Sequence, residues 1–276
     1  MTGKIPLAGV IGSPIAHSRL PQIHRHWLKT YGLAGAYIPM DVSSADLREV
    51  LTVLPKAGFV GVNITIPHKE AVLEMADVVT DRATLIGAVN TLIFRNDGTI
   101  HADNTDGYGF LENLKSGAPD WMPSAGPATV LGAGGAARAV VVSLLDAGVP
   151  EVLLTNRTRI RAEKLADDFG NRVTVVDWVH AANILEESAL IVNTTSLGMI
   201  GKQEMRVPLD GLRSGTVVTD LVYTPLRTNL LVAAEHAGCV TVDGLGMLLH
   251  QAVPGFERWF GTRPTVDSAT RAAALR

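Results

Sequence analysis

A glycine-rich turn in the middle of the chain is the first feature suited to chemistry. Gly132, Gly134 and Ala137 have the G-x-G-x-x-A spacing, directly after the apolar stretch 128–131 and directly before a helical pattern. The first glycine permits a tight strand-to-helix turn, the second lets the backbone approach a pyrophosphate, and the alanine allows close packing of helix on strand. The sequence therefore predicts a dinucleotide at the amino end of a helix.

The residues after the next predicted strand bear on which dinucleotide binds. A site for NAD usually has an acidic residue about 20 positions beyond the glycines, where it binds the ribose 2′-hydroxyl. This chain has Arg157 and Arg161 in that region instead. Because a guanidinium can pair bidentately with a 2′-phosphate, the sequence favours NADP over NAD. The alternative is that these arginines only form a solvated helix start.

Four polar segments of the N-terminal part end predicted strands. They are residues 12–18, 63–69, 87–91 and 103–107. Ligands of open α/β sheets bind beyond the carboxyl ends of the strands, so we expect these segments to converge on one cleft. Pro67 suits the first turn of a helix, which would place His68 and Lys69 at the start of that helix. Taken singly, each polar residue could instead serve only the local backbone.

Strands and helices alternate along almost the whole chain. This alternation is typical of the α/β class, with parallel sheets covered by helices. The predicted strands are 7–11, 36–40, 59–64, 90–95 and 99–102, then 128–131, 152–155, 173–176, 190–193, 217–220 and 239–242. The predicted helices of the first part lie at 21–31, 45–54 and 69–75.

Breaker residues divide this pattern into two parts. Segment 116–127 is rich in Gly, Pro and Ser and is predicted to be a surface linker. A length of 276 residues fits two domains at about 150 residues each. Segment 247–260 has helical spacing but no strand partner, so it could pack back on the first domain.

Composition excludes several other classes of protein. A net charge of −3 provides no basic surface for nucleic acid. No stretch of about 18 apolar residues is free of charges or breakers, so we expect no membrane span. The lone Cys239 rules out an internal disulfide and fits a reducing cytoplasm. The eight histidines show no metal-ligand spacing, which disfavours a metal enzyme.

Taken together, the motifs resemble the shikimate dehydrogenase family over nearly the whole chain. The matching segments are 12–18, 63–69, 87–91, 104–107, 132–136, 156–158, 193–199, 220–225 and 243–247, with Gln251. The resemblance implies reversible NADPH-dependent reduction of 3-dehydroshikimate to shikimate, on the route to aromatic amino acids. It also implies a discontinuous substrate-binding catalytic domain, 1–106 with 247–276, and a Rossmann-like, doubly wound NADP-binding domain, 107–246.

By this resemblance, Lys69 and Asp106 match the catalytic pair beside the reacting oxygen. Hydride leaves a carbinol carbon only as the hydroxyl proton is taken, so a general base must lie within about 3 Å of that oxygen. Desolvation would lower the pKa of Lys69, whereas Asp106 would favour its charged form. The sequence leaves open which of the two carries the proton, with Lys69 favoured.

The resemblance also implies a set of ligand contacts. Those to substrate are Ser18, Leu20, Asn63, Thr65, Asn90, Tyr223 and Gln251. Those to cofactor are Asp81, Gly132, Ala133, Gly134, Gly135, Ala136, Asn156, Arg157, Thr158, Arg161, Leu221 and Gly244.

Leu20 departs from the family pattern, which usually has a second hydroxyl at this position. Leucine cannot bind a carboxylate. Since a hydrogen bond to a charged group is worth about 1.5–3 kcal/mol, we expect affinity for shikimate to fall by about ten- to a hundredfold unless Arg19 or another donor compensates.

Alternative functions therefore stay open at this level. Leu20 is compatible with a paralogue that acts on quinate or another hydroxylated cyclohexene acid. An NADP-binding regulatory protein without turnover is disfavoured by the presence of both Lys69 and Asp106. The sequence does not fix the oligomeric state, and a homodimer is one open arrangement.

Overall fold

The computed structural model describes residues 5–276, which divide into two compact units. The first combines the chain up to Thr105 with Leu249–Arg276, and the second is Asp106–Leu248. The strands are β1 (Leu7–Gly12), β2 (Ala36–Asp41), β3 (Phe59–Ile64), β4 (Val78–Val79), β5 (Thr91–Phe94), β6 (Ile100–Asp103), β7 (Ala128–Leu131), β8 (Val152–Asn156), β9 (Val173–Asp177), β10 (Leu190–Asn193), β11 (Val217–Asp220) and β12 (Val240–Val242). The α-helices are α1 (Leu20–Thr30), α2 (Leu47–Val53), α3 (Asp81–Ile86), α4 (Asp106–Gly117), α5 (Gly135–Ala147), α6 (Arg159–Asp167), α7 (Ala181–Leu185), α8 (Asn229–His236), α9 (Leu245–Phe260) and α10 (Ser268–Ala274).

The first unit has a mixed six-stranded sheet in the order β2-β1-β3-β5-β6-β4. β1 is parallel to β2 and β3, but β5 is antiparallel to both β3 and β6. The expectation of parallel sheets throughout is therefore wrong here. The connection from β5 to β6 is short and contains Asp97 and Gly98, of which Gly98 has φ +90°. A connection of so few residues can join only antiparallel strands.

Helix α9 packs on this sheet through its carboxyl-terminal half. The indole Nε1 of Trp259 donates a hydrogen bond to the carbonyl of Leu92 at 3.0 Å. Gly61 makes this approach possible, because a Cβ at that position would lie 2.0 Å from the same nitrogen. On α1, Trp27 donates to Thr270 of α10 at 3.2 Å. The C-terminal segment thus returns to the first unit.

The second unit has a six-stranded sheet in the order β12-β11-β10-β7-β8-β9, and all of its pairings are parallel. The strand order reverses at β7, which is the doubly wound arrangement. β7, β10 and β11 are fully buried, as expected for strands that helices cover on both faces. The predicted two-part α/β class is confirmed. Within residues 5–276, no helix is both long and apolar enough to span a bilayer.

Two local predictions are wrong. The first is that segment 116–127 is a linker, since α4 continues to Gly117 and a 3-10 turn occupies Pro123–Ala125. The second is that Pro67 lies in the first turn of a helix. It lies in a turn instead, and the helical segment begins only at Ala71 as a 3-10 helix.

Helix α4 contains Gly107 near its start, which lowers its helix propensity. The glycine permits close packing, because a Cβ there would lie 1.9 Å from the hydroxyl of Ser143.

Candidate functional site

The predicted polar segments of the first unit meet at one edge of its sheet. β1, β3 and β6 end at this edge, as the register pairs Ile11 with Ile64 and Thr91 with both Asn63 and Asp103. The segment 87–91 reaches it differently from the prediction. It precedes a strand rather than ending one, and it arrives at the same edge because β5 runs in the reverse direction.

Buried amide side chains connect this edge to helix α9. Asn63 and Asn90 are each 2% exposed and Gln251 is 7% exposed. Asn63 Nδ2 donates to the carbonyl of Asn90 at 3.0 Å, and Asn90 Nδ2 donates to Gln251 Oε1 at 2.9 Å. Three predicted substrate contacts, from three distant parts of the sequence, therefore form one hydrogen-bonded group.

Thr65 and Ser18 lie in the loops that follow β3 and β1. The backbone N–H of Thr65 donates to the carbonyl of Ile11 at 2.9 Å. The methyl group of Thr65 lies directly against Gly12, since a Cβ on Gly12 would be only 2.5 Å from it. The hydroxyl of Ser18 accepts from the N–H of Leu20 at 3.4 Å. Leu20 is the first residue of α1 and its side chain is buried. The leucine thus contributes to the core of the first unit.

The predicted catalytic residues belong to different units. Lys69 is half-buried in the turn after β3, and its carbonyl accepts a hydrogen bond from the N–H of Val89 at 2.8 Å, which ties this turn to the segment before β5. Asp106 is the first residue of α4 and is also half-buried.

Asp103 is a buried carboxylate whose role the sequence did not predict. It is 1% exposed and accepts hydrogen bonds from Thr80 at 2.9 Å, Arg82 at 3.2 Å and Arg258 at 2.9 Å. Burial alone would raise the pKa of Asp103, but Arg82, Thr80 and Arg258 hold it below its ordinary value. The carboxylate therefore fixes the end of β6 directly before Asn104 and Thr105.

The two histidines of these motifs differ in environment. His68 is buried, and its Nε2 donates to the carbonyl of Val42 at 2.7 Å. His17 is exposed. Within residues 5–276, no group of three or more His, Cys, Asp or Glu side chains is arranged to hold a metal ion.

In the second unit, the glycine turn has the geometry that a pyrophosphate requires. Gly132 has φ +110°, and a Cβ there would lie 2.7 Å from the hydroxyl of Thr194. Gly134 is the N-cap of α5, and a Cβ added there would meet no atom within 4 Å. Ala137 is fully buried. The turn thus leaves open space in front of a helix amino end, where backbone N–H groups attract an anion.

Asn156 holds this turn against the end of β8. Its Oδ1 accepts from the N–H of Ala133 at 3.2 Å, and its Nδ2 donates to the carbonyl of Thr158 at 2.8 Å. Gly135 and Ala136 form the first turn of α5. One side chain therefore connects the glycine turn to the loop that is predicted to bind the 2′-phosphate.

The arginines of this loop fall into two classes. Arg159 forms two ion pairs, one from Nε to Glu163 Oε1 at 2.7 Å and one from Nη1 to Asp177 Oδ1 at 2.7 Å. Arg157 and Arg161 are exposed, and neither forms an ion pair with any of residues 5–276. The two arginines predicted to bind a phosphate are thus the two whose charge is still available.

A cavity of about 270 Å³ opens beside Arg157. Its lining includes side chains that the sequence-based site did not contain: Trp178, Thr195, Ser196, Leu197, Gln203, Glu204 and Arg206. Thr195 is fixed by Asn193, whose Oδ1 accepts from its hydroxyl at 2.7 Å and from its N–H at 3.0 Å. The sequence motif 193–199 indicated that this region is functional, but the motif alone does not show which of its residues line the cavity.

The remaining predicted contacts are distributed over both units. The N–H of Leu221 donates to Asn193 at 2.9 Å, and Gly244 lies so close to Leu221 that a Cβ would be 2.4 Å from its carbonyl oxygen. Tyr223 is half-buried in the loop after β11. Asp81 is an exposed residue at the start of α3, in the first unit rather than with the other predicted cofactor contacts.

Comparison with known proteins shows the family of this chain. The chain matches the shikimate dehydrogenase substrate-binding domain over residues 10–92, the shikimate/quinate 5-dehydrogenase domain over 123–223 and the shikimate 5′-dehydrogenase C-terminal domain over 244–273. It is 70% identical over 272 residues to a shikimate dehydrogenase (NADP(+)) of Roseobacter denitrificans, covering 99% of this chain and 98% of that one. The chain belongs to the shikimate dehydrogenase family. The predicted family, and with it the class of NADP-dependent oxidoreductase, is confirmed.

Three further proteins are similar to this chain over nearly its whole length. A shikimate dehydrogenase (NADP(+)) of Paracoccus denitrificans is 63% identical, covering 98% of this chain and 96% of that one. The structure of a Thermus thermophilus shikimate 5-dehydrogenase in complex with NADP(H) and shikimate is similar, with a TM-score of 0.86, 39% identity and 98% of both chains covered. A quinate dehydrogenase of Corynebacterium glutamicum in complex with NAD has a TM-score of 0.90 and 34% identity, with 98% of both chains covered.

Proposed function

We propose that the chain catalyses the reversible NADPH-dependent reduction of 3-dehydroshikimate to shikimate. The observation that carries this proposal is the hydrogen bond between Asn90 and Gln251, side chains 161 positions apart. It brings two of the predicted substrate contacts together at one edge of the first unit. The proposal agrees with the names of the relatives that are 60–70% identical to this chain.

The proposed division of labour follows the two units. The first unit binds the hydroxylated ring acid, with Asn63, Thr65, Asn90 and Gln251 at its polar edge. The second binds NADP, with the turn at Gly132 on the pyrophosphate. NADPH supplies the hydride, which adds to the carbonyl carbon. Its oxygen takes a proton from Lys69 or Asp106, and in the reverse direction the same group takes the hydroxyl proton.

The proposed choice of NADP depends on Arg157 and Arg161. Both are exposed, and neither forms an ion pair within residues 5–276. A 2′-phosphate would therefore gain two charged partners without breaking an existing ion pair. The family's place in aromatic amino acid biosynthesis makes a cytoplasmic location our proposal. A homodimer is likewise a proposal.

The direct test offers shikimate and quinate separately, each with NADP and with NAD, to the purified protein and follows the absorbance of the reduced cofactor. We expect the highest kcat/KM with shikimate and NADP. NADP binding without turnover of either acid would contradict the proposal and favour the non-catalytic alternative.

A second candidate, oxidation of quinate, is favoured by Leu20 and by the similarity to the quinate dehydrogenase of Corynebacterium glutamicum. Leu20→Ser supplies the missing hydroxyl, and Leu20→Ala makes the same truncation without it. If a shikimate carboxylate lies near this position, the serine variant will have a KM for shikimate about tenfold below that of the alanine variant, as one hydrogen bond to a charged group predicts. Equal KM values in the two variants would show that residue 20 does not contact the carboxylate.

A further inference from the structure

Asp220 is a fully buried carboxylate at the carboxyl end of β11 that has no cationic partner within residues 5–276. Its Oδ1 accepts hydrogen bonds from Asn193 Nδ2 at 2.8 Å and from the N–H of Val222 at 2.9 Å. Its Oδ2 accepts from the hydroxyl of Thr228 at 2.7 Å. Asp103, the comparably buried carboxylate of the first unit, has two arginine partners instead. Since a buried charge is usually paired, the neutral surroundings of Asp220 require an explanation.

The hydrogen bonds of Asp220 are those of an ionised carboxylate. Each of its contacts within residues 5–276 is with a donor, so no group there accepts a proton from it. The hydroxyl of Thr228 accepts from the N–H of Leu231 at 3.4 Å, and Asp220 is the acceptor for the proton of that hydroxyl. Burial raises the pKa of Asp220, and its three hydrogen bonds oppose the rise by favouring the charged form. The second unit thus holds a negative charge that its side chains solvate but do not neutralise.

Asp220 lies on the side of the sheet where the nicotinamide half of a dinucleotide would bind. The strand order reverses at β7, and dinucleotides cross the carboxyl edge of a sheet at such a reversal. Because the predicted 2′-phosphate loop follows β8, the nicotinamide half would lie on the other side of β7, over β10 and β11. Gly244 packs against the end of β11, since a Cβ on it would be 2.7 Å from the carbonyl oxygen of Asp220. This placement rests on the proposed binding of NADP by the second unit.

The two redox states of nicotinamide differ in charge. The oxidised ring is a cation, whereas the reduced ring, which has gained a hydride, is neutral. A buried negative charge attracts only the cation, and solvent and salt screen this attraction much less than they screen one at the surface.

We propose that the Asp220 carboxylate distinguishes the two redox states of the cofactor, lowering the Kd for NADP⁺ relative to the Kd for NADPH. Because the side chain is fully buried, it acts on the ring through its field rather than by contact. The same charge stabilises the positive charge that develops on the ring as the hydride leaves NADPH for the carbonyl carbon. Asp220 therefore favours the direction in which the carbonyl substrate is reduced.

Binding of the two redox states to the purified protein tests this proposal without turnover. Asp220→Asn removes the charge and retains the shape of the side chain. We expect the Kd for NADP⁺, measured by calorimetry, to rise about tenfold and the Kd for NADPH to change by less than about twofold, because only the cation loses an attraction. Asp146→Asn, at an exposed position of α5, is the matched charge control and should leave both Kd values unchanged.

Two further variants separate charge from packing. Thr228→Val removes a hydrogen bond to the carboxylate but keeps its charge, so it should change both Kd values by a similar factor. Asp220→Ser, which removes the charge and leaves space for water, should repeat the selective loss of NADP⁺ if Asp220→Asn folds poorly. Equal changes in both Kd values on removal of the charge would overturn the inference while leaving NADP binding intact. Failure of the wild type to bind either redox state would instead remove the proposed binding of NADP, and the inference with it.

Discussion

The two proposed ligand-binding edges of this protein consist of different kinds of groups. The edge of the first unit consists of buried amides and hydroxyls bonded to one another, with Asn63, Asn90 and Gln251 all at most 7% exposed. The edge of the second unit consists of glycine backbone and of exposed arginines that form no ion pair within residues 5–276. The polar groups of one edge are bonded to one another, whereas the other has exposed charge that can pair with a phosphate.

This difference reflects what each edge has to recognise. A small polyhydroxylated ring presents groups that donate and accept, so its recognition depends on the direction of each hydrogen bond, which only a rigid network fixes. A dinucleotide presents phosphates, for which helix amino ends and guanidinium groups suffice. Mutations in the first edge should therefore act through geometry, and those in the second mainly through charge.

The largest effect is expected at Lys69, in the turn after β3. Loss of a general acid–base group typically costs a hundred- to ten-thousandfold, so Lys69→Ala should lower kcat by about that factor. The affinity for NADP, measured by calorimetry, should stay unchanged. Lys56→Ala, at an exposed lysine of the same unit, is the matched control. A kcat for Lys69→Ala within about tenfold of wild type would contradict a proton-handling role.

His24 should make the first unit sensitive to acid. Burial lowers its pKa from 6.5 to about 3, so the folded protein keeps it neutral while the unfolded chain takes up a proton. Its contribution to stability is complete above the unfolded pKa near 6.5 and is lost as pH falls toward 3. The free energy of unfolding should fall by up to about 4–5 kcal/mol across that window.

Substitution separates this effect from other acid-sensitive groups. The urea midpoint of His24→Phe should depend less on pH between 6.5 and 4 than that of wild type. His26→Phe, at a half-buried position on the same helix, should keep the wild-type dependence. Identical slopes in all three proteins would show that His24 does not titrate as its burial requires.

A smaller effect is expected at the nucleotide edge. Arg157→Ala should raise the KM for NADP by about ten- to a hundredfold and leave the KM for NAD unchanged, because it removes a charged partner of the 2′-phosphate only. Arg159→Ala should change either KM by about twofold at most, since exposed ion pairs of this kind contribute little. If NAD is affected as strongly as NADP, Arg157 contacts a group that both cofactors share.

Several features followed from the sequence because their physics is local. The turn at Gly132 needs a residue that tolerates positive φ, and the spacing to Ala137 follows from one turn of helix. The replacement of an acidic residue by Arg157 is likewise a question of charge at one position. Alternating apolar and helical segments determined the α/β class, since each element must bury one face whatever its partners.

Other features depended on partners that are distant in the sequence. The reversal of β5 brought Asn90 to the substrate edge by an unexpected route, and Gly107 is explained only by its contact with Ser143 across two helices. The orientations of the Asn63 and Asn90 amides are set by the backbone carbonyl of Asn90 and the backbone N–H of Thr105, which no motif specifies. The sequence by itself determined which groups are available for chemistry. The tertiary structure decided which neighbour each amide atom faces, because a buried amide must satisfy all its neighbours at once.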